Sequence, residues 1–213
     1  MNRTAKQIIA VVVSLFLVFV AVFGSYLPMR KAQMFIGTLQ SFQTQPVTSL
    51  QELESRLQVP LDYTSPIGQE ELVRNTANSV LGFVQQGTDA TTTAELISFL
   101  HRYYDPIIAR GKGMSFEQDL YLMGVINEVA FTHTGSPAYL QDSLRYYGEG
   151  VQLGPGRPQP LYGLFDVYRF AGDATDTIAV AERILQLWPS DQNVRSSLEQ
   201  FLKSGQKTSS TKK

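Results

Sequence analysis

From Ile8 to Leu27 the chain is almost wholly apolar, and residues 7–29 carry no charged side chain. A helix of about 20 such residues reaches roughly 30 Å, the hydrocarbon thickness of a bilayer. Arg3 and Lys6 precede the run, Arg30 and Lys31 follow it, and Tyr26 suits the interface. The run is longer than the roughly 7–15 apolar residues of a cleaved leader, so the predicted element is a single membrane-spanning helix. Met34, Phe35, Leu39 and Phe42 then recur at helical spacing among glutamines and threonines. That pattern extends the helix to about residue 43 with an amphipathic face, expected to pack on the domain rather than lie on the membrane.

The Gln45-Pro46 pair breaks the pattern. Thr48 or Ser49 is placed to cap a short helix to Gln58 with Leu50, Leu53 and Leu57 on one side, and 60–68 reads as a connector. Ser65-Pro66 is expected to open a longer helix with the stripe Leu72, Val73, Ala77, Val80, Leu81 and Val84, ended by Gly87. Asp89 or Thr88 caps the next, whose stripe is Leu96, Ile97, Leu100, Tyr103 and Tyr104; Pro106 should kink or restart it, with Asp105 as the new cap. A helix over 115–134 follows, with Ser115 and Gln118 spaced as a capping box and a Gly135-Ser136 turn before Pro137. Over 158–191 two apolar helical patterns flank Gly172-Asp173, and Pro189 closes them. Ser190 is expected to cap a last helix carrying Val194, Leu198, Phe201 and Leu202.

Pro155 and Pro189 lie 34 residues apart, the period of a tetratricopeptide unit. Leu161, Leu164 and Tyr168 stand where that motif's first helix carries large apolar residues, and Thr177, Ala181 and Ile184 at the small-residue positions of its second. The stretch resembles the tetratricopeptide family, departing at Phe165, Thr177 and Ile184, where the family prefers smaller residues. A looser copy precedes it through Ser143, Tyr147, Gly150, Val151, Leu153 and Pro155, with three extra residues placed near 138–140. The resemblance implies an all-α chain: an N-terminal transmembrane helix, then helical hairpins stacked as a short right-handed superhelix. It also implies protein binding on the concave face of the first helices, which position matching assigns to Tyr162, Asp166, Arg169, Phe170, Thr132 and His133. Tyr162 and Asp166 stand where some members carry a Lys/Asn clamp for C-terminal carboxylates, so that ligand is not expected. The order of membrane helix, juxtamembrane helix, Ser65-Pro66 helix and repeats is also similar to the C-terminal part of bacterial O-antigen ligase-type proteins.

The expected organisation is 1–29 for the flank and membrane helix, 30–47 for the juxtamembrane helix and linker, 48–114 for helical hairpins, 115–203 for repeats and cap, and 204–213 for a disordered basic tail. Charge sharpens this division. The first acidic residue is Glu52, whereas 52–202 hold 10 basic and 19 acidic residues, a balance of −9. So acidic a body is a poor partner for phosphate backbones, and no nucleic-acid partner is expected. There is no cysteine, which excludes disulfides and thiolate metal sites. His101 and His133 are the only histidines and, 32 residues apart, make no His-x-x-x-His pair. No phosphate loop or nucleophile elbow is present, and no nucleophile, base and orienter fall together. The sequence thus points to a non-catalytic membrane-anchored adaptor without cofactor or metal, with a protein partner. Envelope-polysaccharide machinery is the alternative association. The short basic N-terminus before a lone apolar helix puts the N-terminus in the cytoplasm and the domain outside.

Overall fold

A computed structural model of the chain describes residues 2–113 and 115–210. Every regular element among the described residues is a helix. The chain divides into two compact units. One comprises the residues up to Ala77 with Ser98–Pro106, the other Asn78–Ile97 with the residues from Ile107 on.

The first unit begins with one continuous helical rod, Arg3–Thr44, long and apolar enough to cross a membrane and with none of its most apolar window buried. It comprises α1 (Arg3–Ala21), a single π turn (Val22–Tyr26) and α2 (Leu27–Thr44). In the π turn the Leu27 N–H donates to the Val22 carbonyl. Its position has a cause in the sequence: Pro28 offers no N–H, and its ring crowds the carbonyl four residues back, so the helix widens just ahead of it. The expected amphipathic extension is present, and it packs: Lys31 and Phe35 are buried on α2. α3 (Leu50–Asp62) lies against it, with Leu53, Leu57 and Leu61 buried.

Lys31 explains how the two are joined. Only 2% of this residue is exposed. Its ammonium donates to the carbonyls of Leu61 (3.3 Å) and Tyr63 (2.6 Å) and to the Gln69 side-chain oxygen. The two carbonyls sit at the C-terminal end of α3, where backbone acceptors lack helical partners and the helix dipole favours a cation. A buried charge is tolerated because its donors are filled.

Several local expectations are corrected. α3 runs through Pro60 instead of ending at Gln58. α4 (Gln69–Gln85) starts after Ser65-Pro66; the Ser65 hydroxyl is spent on the Ile67 carbonyl, 2.8 Å away. α5 (Ala90–Arg110) passes through Pro106 unbroken. The hydrogen bond lost to the proline is offset by burial of Tyr103, Tyr104 and Ile107 around it. Asp105 is therefore no cap, and accepts from His101 Nδ1 at 2.8 Å, with the tautomer left open. Of the alternative caps, Ser49 serves α3 and Asp89 serves α5.

The second unit contains the helical pairs α6 (Phe116–Thr134) with α7 (Pro137–Leu153) and α8 (Pro158–Ala171) with α9 (Ala174–Leu187), followed by α10 (Gln192–Ser210). Gly135 and Gly172 take left-handed conformations, φ 68° and 77°, at the ends of α6 and α8, as helix C-termini favour. α7 has 17 residues and α9 has 14, so the three extra residues are absorbed as helix. Ser115 makes no capping bond, because its φ of −115° and ψ of 10° turn it out of the extended capping geometry. Asp191, not Ser190, caps α10, accepting from the N–H groups of Asn193 (2.9 Å) and Val194 (3.0 Å). The core of this unit gathers Tyr147, Val151, Leu161, Leu164, Phe165, Val167, Ala181, Ile184 and Val194. α10 continues to Ser210, past residue 204 where the basic tail is expected to begin, and 211–213 lie outside the described residues.

Candidate functional site: an acidic and aromatic face on α6 and α8

The site grows from a buried ring. Tyr147 on α7 is 1% exposed and lies between two glycines. A Cβ on Gly124 of α6 would fall 2.5 Å from its ring, and one on Gly163 of α8 would fall 2.4 Å from it. Any other residue at either position overlaps the ring, so the two glycines form a slot of one-ring width. The Ser143 hydroxyl, one turn earlier on α7, donates to the Gly124 carbonyl at 3.1 Å and fixes that approach.

The slot delivers the phenol to a carboxylate. Tyr147 Oη donates to Glu128 Oε2 at 2.6 Å. Glu128 is a single acidic side chain among the buried Met123, Ile126 and Ala130 of α6. Its carboxyl is pushed up to about 7, above all by burial; the Tyr147 hydrogen bond and Arg169 pull the other way, and Asp166 adds to the rise. Burial first, and then the Glu128 charge, hold the Tyr147 hydroxyl far above the usual tyrosine range. Tyr121, also on α6, packs its ring 5.9 Å from that of Tyr147 and is likewise raised, by burial and then by Glu128 and Asp166.

α8 supplies the rest. Arg169 donates to Asp166 at 2.9 Å, and its guanidinium lies 4.6 Å from the Phe170 ring centre and 6.0 Å from that of Phe165. Phe170 is 48% exposed and Tyr121 36%. The face therefore presents two carboxyls, one guanidinium and two open aromatic rings.

Of the residues assigned to a binding face from sequence, Asp166, Arg169 and Phe170 come together here. Tyr162 points to the next helix: its hydroxyl bonds the Asp191 carboxylate and its ring stacks on Trp188, centroids 6.0 Å apart and planes at 24°. That bond is the main reason why the Tyr162 hydroxyl rises to about 12 and the Asp191 carboxyl falls below its usual range. The Thr132 hydroxyl is spent on the Val129 carbonyl of its own helix, 2.8 Å away. The His133 ring faces Gly87, its Nδ1 3.6 Å from where a Cβ would sit. Glu128 and Tyr121 complete the cluster and escaped the sequence reading; Tyr147, placed there only as a packing position of the looser repeat, joins them. A glutamate set between the apolar pairs Val125-Ile126 and Val129-Ala130 of α6 is the signal that marks the first.

Away from this face, a concavity of about 260 Å³ is lined by Lys112, Gly113, Ser115, Phe116, Glu117, Gln118, Leu153 and Arg157. Arg157 is engaged there by Glu117. No cluster of His, Cys, Asp and Glu suited to a metal ion is present among the described residues. No family model, curated protein or solved structure matches the chain.

Proposed function

We propose that the protein is a membrane-anchored adaptor of the cell envelope. In this reading its tetratricopeptide-like hairpins hold a protein partner on the α6/α8 face, and it performs no chemistry of its own. The observation that supports this most is the exposure of Phe170 and Tyr121 beside partly buried charges, a mixture that packing within the unit does not require. The rod Arg3–Thr44 serves as the anchor, with the N-terminus cytoplasmic and the hairpins outside.

Two measurements test it. A tag after Lys213 is digested by protease added to intact cells if the domain is external; digestion only in inverted vesicles reverses the orientation. A cross-linked partner recovered with the full chain is lost on Phe170→Ala, while helix content is unchanged. A partner retained by that variant removes the face from the reading.

A second reading, an accessory of an O-antigen ligase-like polysaccharide system, draws on the concavity beside Lys112, whose ammonium suits an anionic glycan carrier, while Arg157 there is paired with Glu117. It requires lipid-linked sugar binding that falls with Lys112→Ala, and that binding distinguishes it from the adaptor.

A further inference from the structure

Two carboxyls and one guanidinium give the α6/α8 face an excess of negative charge. The guanidinium is divided: Arg169 bonds Asp166 at 2.9 Å through Nη2, while its buried Nε makes no hydrogen bond. Glu128 receives only a neutral donor, the Tyr147 hydroxyl at 2.6 Å. A carboxyl partly removed from water and hydrogen-bonded by a phenol has its counter-charge only at a distance, from Arg169, which it shares with Asp166. On either side stand exposed rings, Tyr121 by α6 and Phe170 by α8, and ring faces attract cations.

We infer that this face receives a basic side chain, an arginine or lysine carried by an extended segment of the partner protein, set against Glu128 and Asp166 and rimmed by Tyr121 and Phe170. The inference rests on the adaptor reading and names the chemistry of its partner. Residues 115–210, which carry the face, hold 11 acidic and 7 basic side chains, a net −4 that draws such a segment towards them.

The site is also coupled to protons. The groups facing Glu128 are Tyr121 on its own helix, Tyr147 on α7, and Asp166 and Arg169 on α8. Burial above all, with Asp166 adding to it and Tyr147 and Arg169 opposing, leaves its carboxyl half protonated near neutrality, at about 7. An arriving cation favours the ionised form, so binding expels that proton and weakens as pH falls. A group titrating at about 7 makes the affinity about tenfold lower at pH 6 than at pH 8.

The test uses the full chain in detergent micelles and two acetylated peptides. Each has one central residue between glycines and phenylalanines: arginine in one, its neutral analogue citrulline in the other. Calorimetry at about pH 6 and about pH 8 is expected to show the arginine peptide binding roughly tenfold more tightly at the higher pH. The citrulline peptide should bind weakly and without pH dependence. Glu128→Gln, which keeps the Tyr147 partner, should weaken the arginine peptide and flatten its pH response; Asp166→Asn should weaken it and keep the response. Equal binding of the two peptides, no binding of either, or a flat pH response in the native chain overturns the inference. A cross-linked partner lost on Phe170→Ala but retained by Glu128→Gln also overturns it, while leaving the adaptor reading standing.

Discussion

Glu128 is the residue whose energetics reach furthest. Between pH 4.5 and about 7 the folded chain holds a proton there that the unfolded chain has released. Stability contributed by this group therefore falls as pH rises through that window, by up to ~3 kcal/mol. Urea unfolding of the solubilised chain, followed by the single tryptophan, Trp188, is expected to show that loss between pH 5 and 7.5. Glu128→Gln should remove it. Gly163 makes a separate demand. Gly163→Ala places a methyl within 2.4 Å of a ring that cannot swing away, because Tyr147 is 1% exposed and Gly124 bounds its other side. The expected cost is about 1–3 kcal/mol in the same unfolding assay, and Tyr147→Phe, which keeps the ring, should cost less. These residues also show where reading a sequence stops. Asp166, Arg169 and Phe170 were legible as a face because one helix spaces them. The Tyr147–Glu128 bond joins positions 19 residues apart on different helices. It depends on two glycines whose purpose is visible only once the ring stands between them.

At the scale of elements, helices were legible from apolar spacing, while their ends depended on atoms that spacing does not describe. Asp191 takes the cap that Ser190 seemed suited to, because its carboxylate reaches two N–H groups. Pro106 passes through α5 because buried neighbours on both sides hold the helix together. Lys31 reads in the sequence as a flanking charge of a membrane helix, yet folds inward to the end of α3. Lys31→Met leaves the Leu61 and Tyr63 carbonyls without this donor and should cost about 2–3 kcal/mol. Hydrogen exchange over 50–62 reads that loss directly: the last turn of α3 should exchange faster while α8 and α9 remain protected. Unchanged protection would mean that apolar packing of Phe35 alone holds α2 to α3.

For the whole molecule, the apolar N-terminal rod followed from run length, and the all-α class from helical apolar spacing and the repeat resemblance, none of which needs tertiary information. The division into units did not, since α4 and α5 each contribute to both. The π turn carries a consequence of its own. A rod without a loop transmits rotation as well as position, and a π turn takes up its extra residue by widening, which leaves its two halves near the phase of an unbroken helix. A residue deleted from α1 itself, such as Val20, is not taken up in this way and would turn the helix before it by about 100° relative to α2. Lys31 and Phe35 would keep their seats, and unit stability should not change. The stripe that α1 shows to its surroundings would face elsewhere, and cysteine cross-linking along 8–20 would report a new set of reactive positions. The packed helices would be intact and the apolar half of the rod would be dialled to the wrong bearing.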